Sequence, residues 1–508
     1  MWKRMILAAG IFSLAASMAL AQSNSPQGGA PSSPNSSTSS NSTSSSTSTS
    51  TSNSAPGTSN PFTGSVPTGK ATSEVLKINF EDAIERGLKQ NLGGLLSSNA
   101  IESARGEKWK EMSEILPTLT TNTTETASQV NLAQTGFTKI HFPGFSFSGV
   151  SPIVGPFGFF DTRAYLSVPI VNINGLQKTR SANESLRASR YSYKDARELV
   201  VLYVGYNYLQ TMANAARVET ADAQLKTAEA LYNQANDRLK AGVSPAIDAL
   251  RAKVEFQTRQ QQLIAARNDF QKQRLALART MGLPAGQPFE LTETMPYDPP
   301  PPVTLDEALQ RAYQMRSDFL AAQAQVHAAE LSKRAAYAEY YPSVSFDGNY
   351  GVGGPVPDQT HGSFQAVGSL KIPIFQGNRV HADILQADAA LANNKAQLEN
   401  LRGQIDQDVR DALFDLQSAL DQVKVAKSNV DLASQTLDQA RDRFAAGVTD
   451  NIEVVQAQEA VASANESNIS SLFSYNIARI SLARAEGIAE TGVLQYLKGR
   501  SNASTNGN

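Results

Sequence analysis

The 508-residue sequence has no cysteine, two tryptophans and four histidines. Without thiols there is no disulfide, thiolate zinc site, Fe–S cluster or lipid-modified N-terminal cysteine. Charge is scarce at 18%, against about 25% in an ordinary soluble domain. Neither sign prevails, with 45 Lys+Arg against 47 Asp+Glu, which excludes a basic footprint for nucleic acid. Long apolar runs are missing beyond the N-terminus, and mean hydropathy is −0.30, so this is no bundle of membrane helices. His141, His327, His361 and His381 are scattered without metal-ligand spacing. Residues 64–71 nearly spell a phosphate-binding loop, but Ala71 stands where Ser or Thr is required. No serine elbow or acid pair stands out. No enzyme activity, metal or cofactor is expected.

What is present begins with an export signal. A basic start is followed by an apolar run at 5–20, and Ala19-Leu20-Ala21 fits cleavage after Ala21, giving a signal peptide at 1–21. Residues 22–73 are rich in Ser, Thr and Asn, and 35–54 contain nothing else. Such a segment buries too little apolar surface to offset its ordering entropy, so it is expected to be disordered.

The rest is a duplication. Ile78-Asn-Phe-Glu-Asp-Ala-Ile-Glu-Arg-Gly resembles Val303-Thr-Leu-Asp-Glu-Ala-Leu-Gln-Arg-Ala, and Leu116-Pro117 matches Tyr341-Pro342 at the same offset of 225. Val168-Pro169-Ile170 matches Ile372-Pro373-Ile374, and Arg238-Leu-Lys-Ala-Gly-Val-Ser matches Arg443-Phe-Ala-Ala-Gly-Val-Thr, at offsets of 204 and 205. The repeats span 74–283 and 303–490, around a Pro-rich linker at 284–302 and before a tail at 491–508.

Each repeat reads helix, strand, loop, strand, long helix, turn, helix. Strands of 10–12 residues alternate, with Val344, Phe346, Tyr350 and Val352 on one face and Ser345, Asp347 and Asn349 on the other. The partner strand, 363–374, carries Phe364, Leu370, Ile372 and Ile374. Ala164, Leu166, Val168 and Ile170 form the matching face of the first repeat, whose hairpin loop is placed at 131–159, outside the cell. These lengths suit tilted membrane strands.

Long helices are expected at 176–240 and 380–446, each reaching roughly 100 Å. Val409, Leu416, Val423, Val430, Leu437 and Phe444 recur every seven residues, as do Val218, Leu225, Tyr232 and Leu239. Ala221, Ala228, Ala235, Ala426, Ala433 and Ala440 follow three residues on, which implies close, left-handed coiled-coil packing. Shorter partners are expected at 81–115, 245–281, 305–340 and 450–486. Four strands cannot close a barrel, so two copies giving eight or three giving twelve are both open.

The turns are built to reverse a helix. Gly242 and Gly447 suit the left-handed residue that ends one. Ser244 and Thr449 are expected to N-cap the returning helix, with Pro245 at its first position. Asp248 and Glu453, six residues after the glycines, suit the positive end of the helix dipole.

The duplicated layout, the repeated Arg-x-x-Ala-Gly-Val-Ser/Thr turn and the hairpins behind Leu116-Pro117 and Tyr341-Pro342 resemble the TolC family of outer-membrane efflux proteins of Gram-negative bacteria, over about 75–497. The resemblance implies a mixed α/β membrane protein, a homotrimer with a twelve-stranded β-barrel in outer-membrane lipid, continuous with a periplasmic α-helical tunnel. It implies a passive exit duct for efflux or type I secretion. A periplasmic adaptor (membrane fusion protein) and an inner-membrane pump of RND, ABC or MFS type are the implied partners. It places Ala241, Gly242, Val243, Ser244, Ala446, Gly447, Val448 and Thr449 at adaptor-docking tips, and Asp248 and Glu453 in a pore ring. Gln456 stands where a second acidic ring residue is found in relatives. Phe444 and Thr449 replace a Tyr and an Arg of their gating network, so the gate is expected to rest more on packing than on charge. A structural or adhesive coiled-coil surface protein is the rival reading. Lacking any cysteine, this chain would hold to the membrane by its barrel.

Overall fold

The computed structural model describes residues 60–132, 134, 153–293, 295, 297, 303–449 and 451–492. The expected signal peptide and most of the Ser/Thr/Asn-rich segment lie outside the described residues, as do the tail beyond residue 492 and most of the first hairpin loop.

The order of elements is the same twice. The first repeat runs β1 (Leu76–Ile78), α1 (Phe80–Gln90), α2 (Leu92–Ser113), β2 (Thr118–Asn131), β3 (Ile153–Val171), α3 (Ile173–Lys240) and α4 (Ala246–Met281). The second runs β4 (Phe289–Leu291), α5 (Leu305–Met315), α6 (Ser317–Ala338), β5 (Ser343–Gly354), β6 (His361–Lys371), α7 (Arg379–Ala445) and α8 (Asn451–Ala485). Both repeats open on a capping box, Asn79 with Asp82 and Thr304 with Glu307, which satisfies orphan amides at the helix start.

Several expectations need correction. The single helices expected at 81–115 and 305–340 are each broken. Asn91 and Arg316 take extended backbone (ψ 133° and 119°) and swing the chain into a second helix. Asn91 caps α2 by accepting from Gly93 N and donates to Phe62 O. Arg316 is held by Asp318 and Asp408 at 2.7 and 2.8 Å. The linker 284–302 contains β4, which pairs in parallel with β1 through Leu76–Phe289 and Ile78–Leu291. The segment read as disordered to residue 73 is structured from Asn60: Val66 N donates to Gln90 O at 2.9 Å and Thr68 N to Gly282 O at 3.3 Å. Phe62 stacks on Tyr203 and lies so close to α2 that a Cβ on Gly93 would come within 2.3 Å of its ring. One apolar anchor, Phe62, and these backbone bonds thus order a stretch whose composition alone reads as tail.

The strands form one antiparallel sheet in the order β2-β3-β5-β6. β3 has 19 residues, longer than expected, so 153–159 belong to a strand and not to the loop. Ile372 and Ile374 lie beyond β6. One face carries Leu119, Leu166, Tyr350, Phe364 and Leu370, all exposed. The other is cross-linked by polar groups: Arg163 donates to Asn349 Oδ1 at 2.8 Å and Ser167 to Asp347 Oδ1 at 2.7 Å. Strands β2 and β6 are free edges within the described sheet.

The heptad seam of α7 is buried at Val409, Leu416, Val423, Leu437 and Phe444, and on α3 the alanine row Ala221, Ala228 and Ala235 is buried. The main core gathers where β1 and β4 meet the helices, around Ile78, Phe80, Val200, Val204, Tyr208, Leu277 and Ile480. Among the described residues no helix is long and apolar enough to cross a membrane.

Beside this core lies a charge cluster. Arg484 on α8 pairs with Asp195 and with Glu198 (3.0 Å) on α3, next to the Arg316, Asp318 and Asp408 group. Four carboxylates thus face two guanidiniums. Burial pushes the Glu198 carboxyl up to about 7; Arg484 opposes this, and Asp195 and Asp318 add to it. The folded chain therefore keeps a proton that the unfolded chain releases near 4.5. The resulting stability is full below that value and is lost as pH rises through about 7, on the order of 2–3 kcal/mol. The melting temperature of the wild type should fall between pH 5 and 7.5, and that of Glu198→Gln should fall less. Equal slopes would refute the assignment.

Candidate functional site

The helical hairpins end in two turns of the same build. The α3 helix stops with Val243 N donating to Arg238 O at 3.0 Å, and α7 with Val448 N donating to Arg443 O at 3.0 Å. Between them Gly242 and Gly447 each have φ of 72°, the left-handed conformation in which only a residue without Cβ is unstrained. Ala241, Gly242, Val243, Ala446, Gly447 and Val448 are all exposed, the two valines at 77% and 70%. Two apolar knobs thus project from a polar helix end.

The capping expectation needs correction. Pro245, with φ −70° and ψ 153°, occupies the cap position before α4. Ser244 lies one residue earlier, and its hydroxyl donates to Asp248 Oδ2 at 2.8 Å. Thr449 likewise donates to the Glu453 carboxylate. Arg251 lies 3.9 Å from Asp248, and Arg443 lies 3.1 Å from Glu453. Each acid is therefore tied within its own hairpin. Gln456 is exposed on α8, one turn beyond Glu453.

Phe444 is 4% exposed and packs with Leu231, Leu437, Ala440, Val454 and Ala457, joining α3, α7 and α8. Over its ring, 4.5 Å from the centroid, lies the guanidinium of Arg238. Arg238 also donates to Phe444 O at 3.1 Å and Ala445 O at 3.0 Å. It satisfies carbonyls that the end of a helix leaves without intrahelical partners, and its charge suits the negative end of the dipole. Arg238 thus fastens the first hairpin to the second. The repeat motif already contained it, but its partner was invisible. Its twin Arg443 turns to Glu453 in its own hairpin.

Among the described residues no group of three His, Asp or Glu is arranged to hold a metal ion. The site consists of helix ends, carbonyls and ion pairs, which suits contact and closure.

A family model for outer membrane efflux proteins matches residues 158–283 and 308–487, more than half of the chain. The chain belongs to the outer membrane efflux protein family. Its place is accordingly the cell outer membrane, and the resemblance to TolC holds. The outer membrane protein TolC of Vibrio cholerae is 20% identical over 328 residues, 63% of this chain and 75% of that protein. The antibiotic efflux pump outer membrane protein ArpC of Pseudomonas putida is 24% identical over 323 residues, 61% of this chain and 64% of ArpC. Over a third of ArpC thus has no counterpart in the match. The Campylobacter jejuni CmeC outer membrane channel superposes with a TM-score of 0.69 at 15% identity, over 86% of this chain and 94% of that one. That likeness shows the fold: long helical hairpins continuous with a β-sheet. As a member of this family, the chain is an outer membrane efflux protein.

Proposed function

We propose that this chain is the passive exit duct of a tripartite efflux or type I secretion system, closed at its helical tips. Three copies place twelve strands in outer-membrane lipid and line a periplasmic tunnel. The tips at Ala241–Ser244 and Ala446–Thr449 meet a periplasmic adaptor, which links the duct to an inner-membrane pump of RND, ABC or MFS type. The observation that carries the reading is the sheet with one exposed apolar face, one polar face and two free edges, joined to helices that end in matching exposed turns. Further support comes from Leu250, Val254 and Ile264 on α4 and Phe414, Val425 and Leu432 on α7, which are exposed in the single chain and need cover from neighbouring copies. The test is fractionation and reconstitution. Heat-modifiable trimers in the outer membrane that conduct in planar bilayers are expected; a secreted soluble product without conductance would support the adhesive coiled-coil reading.

In this duct Asp248 and Glu453 form the ring that selects cations, since three copies of each carboxylate around a narrow opening favour positive charge. Asp248→Ala combined with Glu453→Ala is expected to lower the cation-to-anion permeability ratio severalfold in bilayer recordings. An unchanged ratio would remove both acids from the pore.

A further inference from the structure

One face of α3 has no part in the roles above. Between Leu176 and Lys194 the helix holds five basic residues and one acid, Glu184, in a chain whose net charge is −2. Arg180, Arg187, Arg190 and Lys194 recur at helical spacing, so they share one face, and all four are exposed. Arg187 lies 3.6 Å from Glu184, while Arg180, Arg190 and Lys194 have no ion pair among the described residues. Arg187 and Lys194 lie over the Tyr191 ring, 5.8 and 5.7 Å from its centroid, which orders them without cancelling their charge. The fold does not demand this stripe. Its twin positions on α7, 205 residues on, are Leu385, Ala392, Lys395 and Glu399. The packing shows which way the face looks. On one flank Thr179 donates to Glu111 O of α2 at 3.2 Å; on the other, Asn174 and Ser181 donate to Ala335 O and Ala328 O of α6 at 2.7 and 2.8 Å. At 3.6 residues per turn these flanks leave a wide side of roughly 210° and a narrow one of roughly 150°. The basic stripe lies on the wide side. Lys178 and Ser185 lie on the narrow one, in a groove with Glu107 of α2 and Ser332 of α6. A ring of helices turns its narrow sides to the bore, so the stripe faces outward.

We infer that this stripe binds an anionic glycan polymer of the cell wall, peptidoglycan, whose peptide stems carry free carboxylates. The inference rests on the duct reading, which puts the outer side of these helices in the periplasm. Two observations choose the partner. The first is depth. The stripe runs roughly 10 to 32 Å along α3 from its start at Ile173, where the helix leaves the sheet. The polar layer of a bilayer extends only about 5–8 Å beyond the hydrocarbon core, so lipid headgroups stop short of it. The second is chemistry. A protein partner needs an apolar anchor at the centre of its contact, and no large apolar side chain is exposed between Arg180 and Lys194. A repeating polyanion needs no such anchor. Each contact of a carboxylate with a surface cation is weak, but many are made at once along one polymer by the stripes of three copies.

Co-sedimentation of the detergent-solubilised full chain with purified peptidoglycan sacculi is the test. The wild type should bind saturably at low salt and be released at 1 M salt, where charges are screened within about 3 Å. Arg187→Gln with Arg190→Gln and Lys194→Gln should weaken binding at least about tenfold. Lys226→Gln with Lys424→Gln and Lys427→Gln removes as much charge from other exposed positions and should leave binding unaltered. Sacculi whose carboxylates have been amidated should not be bound. Vesicles of phosphatidylglycerol and phosphatidylethanolamine should not distinguish the stripe variant from the wild type. Size-exclusion chromatography and bilayer conductance establish that each variant is an assembled duct. Conducting trimers that leave sacculi unbound would overturn this inference and spare the duct reading, whereas a chain that forms no conducting trimer would overturn the duct reading and this inference with it. Equal binding by the stripe variant and the wild type, equal loss in both triple variants, binding that persists on amidated sacculi, or a stripe variant that loses vesicles instead of sacculi would each overturn the inference.

Discussion

Arg238→Ala should raise the open probability of the reconstituted duct about thirtyfold. The guanidinium makes two hydrogen bonds to the last carbonyls of α7 and stacks on Phe444. Hydrogen bonds to a charged group contribute about 1.5–3 kcal/mol when made in the interior, and a cation–π contact adds about 0.5–1 kcal/mol at an exposed site. Arg238 sits at the edge of the bundle, so about 2 kcal/mol is a fair sum, and that converts to the stated factor. Arg238→Lys keeps the charge but loses the planar fork that reaches two carbonyls at once, so its open probability should lie between the two. Arg443→Ala is the matched control. Its partner is Glu453 across a half-exposed pair, for which about 0.2–1 kcal/mol is typical. If Arg238→Ala and Arg443→Ala open the duct equally, the tie between hairpins is not what holds it shut.

The contrast between these twin arginines shows what a sequence can reveal. Periodicity fixed the long helices, because a seven-residue recurrence of Val, Leu and Phe with alanines three residues on can bury its stripe only against a parallel run of helix. Alternation fixed the strands for the same kind of reason. The turns were legible too, since a glycine after a basic last turn and before Ser or Thr has few uses besides reversing a helix. What escaped depends on partners far along the chain. The breaks at Asn91 and Arg316 follow from bonds to Phe62 O and to Asp408, neither of them near in sequence. The short β1 and β4 exist because each supplies the other's ladder across 213 positions. The segment from Asn60 gains its order from Tyr203, Gln90 and Gly282, so its own composition misled. At the tips, the hydroxyls of Ser244 and Thr449 were expected to cap backbone and instead hold Asp248 and Glu453. That choice is set by Pro245 in the first hairpin, which takes the cap position and shifts the hydroxyl one residue back.

Replacing Gly242 and Gly447 together by Val should abolish export in cells that lack the native copy, while the protein still assembles and melts within a few degrees of wild type. Both glycines have φ of 72°, where a β-branched residue is strained by roughly 1–2 kcal/mol. A Cβ at either position would meet no atom within 4 Å, so the substitution disturbs no packing in the chain itself. The buried seam begins one turn away, at Phe444 and Ala440, and continues along the whole hairpin, so a strained tip does not unravel it. The loss of export would therefore come from the shape and surface that the tip offers a partner. Gly242→Asn with Gly447→Asn separates the two contributions. Asn tolerates the left-handed conformation through its short polar side chain, so the turn survives while the surface gains bulk. Export retained by the Asn pair and lost by the Val pair would assign the effect to the conformation of the turn. Loss by both pairs would assign it to the absence of side chains, as in a closely meshed contact with the adaptor. Full export by the Val pair would mean that neither tip takes part in docking.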